Sequence, residues 1–190
     1  MKVAIKHITE QQFSTAPVRV ENYCIYMLQG EGDFVVDGTP YSYKGNTLLF
    51  LTPFQYFQWV VASHKEAVLL QFHGDFYCIE YHKKEVACNG LLFNALFLQP
   101  HITVSEGVYA EIQTLFTRIE AEVASLSPYS EAVLRSYLQL ILALSSKAKG
   151  EQIEDVPTEA DHRLATDFQQ LLETHFIDQS ELPFYAEALH

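Results

Sequence analysis

The sequence predicts an α+β protein in which a small β-barrel is followed by helices. The first observation is a series of about six to eight short β-rich runs that are separated by turn signals. The second is the spacing of apolar residues after Pro100, where they recur every three or four positions as in amphipathic helices. The third is a polar and charged stretch near residue 150, which separates these helices from the tail.

The β-rich runs can be placed individually. Glu21–Leu28 (ENYCIYML) is apolar on both faces, so one face should fill a barrel interior and the other should meet helices. Asp37-Gly38 predicts a tight hairpin turn, because a two-residue turn needs positive φ at both central positions. Thr47–Thr52 is an apolar strand that stops at a proline, and Phe54–Ala62 and Ala67–Phe72 supply two more strands.

Two amphipathic helices follow the strands. Ser105–Ser125 begins with a serine that can cap a helix, and Ser130–Lys147 repeats the apolar spacing after a short loop. The short loop predicts an antiparallel pair. Two interpretations stay open: part of the apolar stripes forms a homodimer face, or both stripes cover the barrel.

The composition divides the chain further. We expect a barrel over residues 1–100, a helical pair over 101–149, a linker over 150–160 and the start of another domain over 161–190. Within the last range, Asp161–Phe176 has the apolar spacing of a helix.

The net charge of −12 is unevenly distributed. Residues 150–190 carry ten acidic and one basic residue, a balance of −9, while residues 1–149 carry fourteen acidic and eleven basic residues, a balance of −3. A chain this acidic does not hold phosphate backbones by itself. Any DNA contact is therefore expected through residues beyond His190.

The compartment is suggested by cysteine usage and by the N-terminus. Three cysteines without disulfide-like spacing fit a reducing compartment. The N-terminus has no signal-peptide pattern, and the longest apolar run, near Leu138–Leu144, is too short to span a bilayer. We expect a soluble, cytoplasmic protein.

Two segments carry a family resemblance. Residues 30–53 (GEGDFVVDGTPYSYKGNTLLFLTP) resemble the first half of a cupin barrel, a double-stranded β-helix or jelly roll, and more narrowly the regulatory domain of AraC-family transcription regulators. Residues 168–176 (FQQLLETHF) and 182–189 (LPFYAEAL) resemble the opening helix of the AraC-type DNA-binding domain and the first helix of its helix-turn-helix.

The resemblance implies the effector-sensing and dimerising part of a bacterial AraC-type regulator, with no enzymatic activity and no cofactor. The helix that reads DNA bases would lie beyond His190, and the sequence leaves open whether the natural chain continues there. The alternative is a stand-alone cupin, either a small-molecule binding protein or a metal-dependent enzyme.

Candidate metal ligands are few. Metal-dependent cupins resemble one another in an H-x-H motif, which this chain lacks, and Phe54–Trp59 (FQYFQW) stands where such ligands would fall. A weak alternative zinc set, which lies near Asp75, has spacings that match no known ligand pattern. It consists of His73, Cys78, His82 and Cys88. The competing interpretation is buried cysteines with partly exposed histidines.

An aromatic set is the better candidate for a binding site. Barrels of this size can hold one small ligand, and phenol and indole groups suit sugars or small aromatic metabolites. Arg19 or Gln55 would orient a polar group of the ligand. The alternative is a barrel filled by its own side chains. The candidate ligand-binding residues are Tyr23, Tyr41, Tyr43, Tyr56, Trp59 and Arg19.

Overall fold

A computed structural model shows the architecture of the chain. It describes residues 2–9, 13, 15–62, 66–77, 92–93, 99–152, 167–168, 171–172, 174–175, 178–179 and 181–189. The chain forms two compact units, Met1–Glu151 and Gln152–His190.

Nine strands of the first unit form two antiparallel sheets, as the α+β jelly-roll prediction requires. The first sheet has the order β1-β8-β3-β6-β9 and the second has the order β2-β7-β4-β5. Strand order departs from chain order in both sheets, so each sheet combines strands that are distant in sequence. The strands are β1 (Val3–Thr9), β2 (Val18–Arg19), β3 (Tyr23–Leu28), β4 (Glu31–Val36), β5 (Thr39–Lys44), β6 (Thr47–Leu51), β7 (Tyr56–Ala62), β8 (Glu66–Phe72) and β9 (His101–Thr103).

The β4–β5 hairpin turns where the sequence predicts it. Asp37 has φ 50° and Gly38 has φ 82°, so both central residues adopt the left-handed conformation of a two-residue hairpin turn. The turn fixes the register of the hairpin, in which Val36 pairs with Thr39 and Phe34 pairs with Tyr41.

The central strand β3 separates two hydrophobic clusters, as its two apolar faces predict. Its even-numbered residues Cys24, Tyr26 and Leu28 lie in the barrel interior between the two sheets. Ile25 and Met27 face the opposite side, where the first sheet packs against the helices. Burial of both faces explains why this strand shows no polar alternation.

The helical pair covers the first sheet. Helix α1 (Glu106–Ala124) starts at the predicted cap, where the Ser105 hydroxyl accepts a hydrogen bond from the Val108 amide at 3.4 Å. Helix α2 (Ser130–Gln152) extends past the predicted end at residue 147 and through Gly150, into the stretch predicted as a linker. Strand β9 likewise lies beyond residue 100, the predicted end of the barrel.

The second unit contains helix α3 (Leu182–Ala188). Within the helix predicted over 161–176, the described residues are helical. The remaining residues of that range, and residues 153–160 of the predicted linker, lie outside the described residues. In the parts of the chain that the structure describes, no helix has the length and apolar character needed to cross a membrane.

Candidate functional site

The barrel interior contains an aromatic cluster centred on Phe34. Phe34 on β4 pairs with Tyr41 on β5 and with Trp59 on β7, so its ring lies between two aromatic neighbours. Its ring centroid is 5.6 Å from that of Tyr41, 6.1 Å from that of Tyr43 and 6.3 Å from that of Trp59. Pairing across three adjacent strands therefore brings together three of the six predicted ligand-binding residues.

The other three predicted residues lie elsewhere. Tyr23 faces the helical side of the first sheet, where its ring stacks on Phe72 at 5.2 Å. Tyr56 is exposed on the outer face of the second sheet. The Arg19 guanidinium lies 4.9 Å above the ring of the exposed Phe54. None of these three belongs to the interior cluster of described residues.

Gln55 has a structural role in the turn before β7. Its side-chain oxygen accepts a hydrogen bond from the Thr52 amide at 2.8 Å, and its side-chain nitrogen donates to Asp37 Oδ2 at 3.1 Å. Asp37 also accepts from the Tyr56 amide at 2.8 Å. These bonds hold the turn in which Phe54 adopts φ 75°, a conformation that bulky residues rarely take.

A shallow cleft of about 460 Å³ lies on the outer face of the second sheet, separate from the aromatic cluster. Tyr56 is the one predicted ligand-binding residue among its lining residues. The lining is largely apolar and consists of Pro17, Val35, Asp37, Gly38, Tyr56 and Gln58.

His101 closes the edge of the barrel interior. It pairs with Leu49, whose side chain faces the interior, and its ring centroid lies 5.5 Å from that of Phe34 and 6.0 Å from that of Tyr41. Burial lowers the pKa of its imidazole, the nearby charge of Lys149 lowers it further, and a hydrogen bond to the Ser42 backbone opposes the shift. Its Nδ1 is buried without a hydrogen-bond partner among the described residues.

Lys149 brings a buried cation to the same edge. Its side chain is 4% exposed, and its Nζ donates a hydrogen bond to the Gln99 carbonyl oxygen at 2.7 Å. Burial lowers the pKa of its ammonium to about 8, because removal from water disfavours the charged form. Within the described ranges, no carboxylate forms an ion pair with it.

The comparisons with known proteins identify the fold. No family model matches the chain, and no curated protein matches it. Among solved structures, an apo ToxT variant from Vibrio cholerae matches 100% of this chain and 70% of its own, with 11% identity and a TM-score of 0.50. This chain has the fold of ToxT. The architecture implied by the sequence resemblance, a jelly-roll barrel followed by a helical pair, is thereby confirmed.

Two further solved structures are similar to this chain, one over nearly its whole length and one over a part of it. The AraC-like transcriptional activator CuxR matches over 98% of this chain and 62% of its own, with 9% identity and a TM-score of 0.41. EutQ from Clostridium difficile matches over 38% of this chain and 56% of its own, with 16% identity and a TM-score of 0.30.

Within the ToxT-like fold, the weak zinc set is mostly untested. Cys78, His82 and Cys88 lie outside the described residues. His73 is exposed, and its Nδ1 accepts a hydrogen bond from the Asp75 amide at 3.1 Å. In the described part of the chain, no three His, Cys, Asp or Glu residues are grouped as metal ligands would be.

Sequence reasoning missed Phe34, His101 and Lys149 at this site. One signal was available for Lys149: it continues the spacing of the buried residues Leu138 and Leu142 along α2, so a charged residue occupies a position on the apolar stripe. For His101, the pairing of β9 with β6 decides that the imidazole faces inward, and that pairing is a tertiary fact.

Proposed function

We propose that this chain is the effector-sensing and dimerising part of an AraC-type transcription regulator, that it has no enzymatic activity and that it acts in the cytoplasm. The order of units carries the proposal. The barrel and helical pair occupy Met1–Glu151, and a separate unit follows from Gln152 with the AraC-type sequence pattern. A sensing unit joined to a DNA-binding unit can transmit ligand binding as a change in the populations of its conformations.

The packing of the second unit supports this assignment. Tyr185 on α3 is buried, its ring centroid lies 5.7 Å from that of Phe168, and its hydroxyl donates to the Gln179 carbonyl oxygen at 2.6 Å. Phe168 and Tyr185 are both positions of the AraC-type pattern, and they contact each other as the first hydrophobic residues of a small helical domain would.

DNA binding itself is proposed for residues beyond His190. Residues 150–190 are strongly acidic, so they repel a phosphate backbone rather than attract it. The test uses the complete natural reading frame and the 190-residue chain, each titrated with DNA from upstream of its own gene and with a scrambled duplex at two salt concentrations. Specific, salt-dependent binding by the complete protein alone is the expected result.

A complete protein that prefers neither duplex would contradict the regulator assignment. A reading frame that stops at His190 would do so as well. In either case the stand-alone small-molecule binding protein becomes the better interpretation of the barrel.

The effector site is proposed in the barrel interior. Tyr41, Tyr43 and Trp59 are brought together around Phe34, and their faces suit a sugar or a small aromatic metabolite. Trp59 is the single tryptophan of the chain, so its fluorescence reports directly on binding at this place. Ligands that shift its emission in the native chain and not in a Tyr41→Ala variant would support the site, while equal shifts in both would place the ligand elsewhere.

A homodimer is proposed through the helices α1 and α2. The apolar stripe of α1 packs against the first sheet within the chain, whereas Leu140 on α2 is 42% exposed. Tyr137 and Leu144 on the same helix are half-buried and pack in part against the core, so only their remaining surface adds to that of Leu140. These three positions lie three and four residues apart, so they form one face of α2.

The dimer proposal predicts that Leu140→Glu converts a dimer into a monomer, because a buried charge at such an interface is costly. Sedimentation equilibrium measures the change. Leu126→Glu serves as the matched control, since Leu126 is exposed in the turn between the two helices. A native chain that sediments as a monomer, or a Leu140→Glu dimer as stable as the native one, would exclude this interface.

A further inference from the structure

Two basic side chains lie near each other at one edge of the barrel without an acidic partner in the described part of the chain. Lys149 approaches from the last turn of α2, and His101 lies on β9, the edge strand of the first sheet. The two are close enough for the lysine charge to lower the pKa of the imidazole. Burial disfavours the charged form of each group, so a bound anion would stabilise the protonated forms of both side chains.

The described residues around Lys149 do not supply such an anion. Its described hydrogen-bond acceptor is the neutral carbonyl oxygen of Gln99, at 2.7 Å. A carbonyl dipole compensates a buried ammonium only in part, because a full counter-charge is needed to offset the lost hydration. No described residue accepts a second hydrogen bond from the ammonium, so two of its three hydrogens are available to a ligand.

Two further polar atoms face the same interior edge. His101 Nδ1 and Thr47 Oγ1 are buried, and neither has a hydrogen-bond partner among the described residues. Thr47 is 0% exposed and pairs with Thr103, two residues along β9 from His101. Residues two apart on a strand lie on the same face, so Thr47 and His101 both point towards the barrel interior.

We infer that this edge of the barrel binds the anionic oxygen group of the effector, either a carboxylate or a phosphate monoester, between Lys149 and His101. The inference rests on the proposed sensing function and names the chemical class of its ligand. An anionic oxygen accepts a hydrogen bond from the ammonium, and it accepts a second one from His101 Nδ1, which is buried without a described partner, when the imidazole takes up a proton on binding. The body of the ligand then contacts Tyr41 and Phe34, whose rings border the imidazole.

The position of Lys149 also gives the site a route to regulation. Lys149 lies in the last turn of α2, three residues before the second unit begins at Gln152. Its hydrogen bond to Gln99 joins the end of this helix to the chain two residues before His101. An anion bound between the two side chains therefore acts directly on the segment that leads into the second unit.

The experiment compares the affinities of two ligands that share the same body, one with an anionic group and one without. Glucose 6-phosphate is tested against glucose, and benzoate is tested against benzamide, in a buffer that contains no phosphate or carboxylate. Calorimetry measures the affinities, and the His101 ring resonance, assigned with a His101→Gln variant, reports the location. We expect one charged ligand of the two to bind at least tenfold more tightly than its neutral partner and to move that resonance.

A matched pair of variants tests the role of the ammonium. Lys149→Met removes the charge while keeping an unbranched apolar side chain, and Lys147→Met removes an exposed charge two residues away on the same helix. Affinity for the charged ligand should fall at least tenfold in Lys149→Met and stay within twofold of the native value in Lys147→Met. Tighter binding of the phosphate or of the carboxylate identifies which anionic group the site takes.

Several outcomes would overturn the inference. These are equal affinity for charged and neutral partners, no charged ligand binding at millimolar concentration, or an affinity that survives Lys149→Met. The native-chain comparison decides the question even if a variant fails to fold. Because the readout is binding within the first unit, a negative result here is independent of whether the complete protein binds DNA.

Discussion

The buried ammonium of Lys149 should make the stability of the first unit depend on pH, and Lys149→Met should remove that dependence. Burial lowers the pKa of the ammonium from 10.5 to about 8 in the folded chain. Between these two values the unfolded chain binds a proton that the folded chain has released. Stability therefore rises with pH across this window, and the charged lysine destabilises the fold below it.

The size of the effect follows from the two pKa values. Each pKa unit corresponds to about 1.4 kcal/mol, so the full effect is about 3 kcal/mol, of which about 2 kcal/mol should appear between pH 7 and pH 9.5. Other buried groups act in the opposite direction at high pH. Burial raises the pKa of the Cys24 thiol to about 11 and raises the pKa values of Tyr26 and Tyr43, so their ionisation in the unfolded chain opposes folding there.

The assay must therefore compare two chains rather than follow one. Urea unfolding is measured for the native chain and for Lys149→Met at intervals from pH 6.5 to 9.5, in a buffer without phosphate or carboxylate. The free-energy difference between the chains should change by about 2 kcal/mol across the range, because the thiol and phenol contributions cancel in the subtraction.

Lys147→Met provides the control, since Lys147 is exposed on the same helix. The free energy of unfolding of Lys147→Met should differ from that of the native chain by the same amount at every pH. A difference between native chain and Lys149→Met that is flat with pH would refute the reasoning, because it would mean that the ammonium is not buried in the folded state.

Three further predictions test the packing and the turns by urea unfolding. Phe34→Ala should cost about 3 to 5 kcal/mol because it leaves a cavity at the centre of the aromatic cluster, whereas Phe54→Ala, at a position 68% exposed, should cost less than about 1 kcal/mol. Equal losses would contradict the assigned interior. Gly38→Ala should destabilise by about 1 to 2 kcal/mol, because φ is +82° there although a Cβ meets nothing within 4 Å. Gly107→Ala, in open space within α1, should instead stabilise by about 0.5 to 1 kcal/mol. If Gly38→Ala and Gly107→Ala changed the free energy of unfolding in the same direction, the argument from backbone conformation would be contradicted.

Local features of the fold could be predicted because their causes are local. Positive φ at Asp37-Gly38 follows from the chemistry of those two residues, and the cap at Ser105 follows from a short side chain placed before an apolar repeat. The two buried faces of β3 follow from its unbroken apolar sequence. The predicted boundaries near residues 100 and 147 differed from the observed ends of β9 and α2, because long-range contacts rather than composition set those ends.

The candidate site was only half predictable from the residues. Aromatic composition named Tyr41, Tyr43 and Trp59 as ligand-binding candidates, and the structure brings these three together around Phe34, but it also named Tyr23 and Tyr56, which lie on other surfaces. A period of two residues tells which side chains share a face of a strand, and it does not tell which face becomes the interior.

The sequence by itself determined the elements of this protein: a glycine-punctuated series of strands, two amphipathic helices and a distinct acidic tail. Only the tertiary structure decided which polar and charged side chains come together at the candidate site. The pairing of β9 with β6 turns His101 inward, and the packing of α2 carries Lys149 to the same edge, although the two residues are far apart in the chain. Such a meeting depends on long-range pairing and burial, which no local pattern encodes.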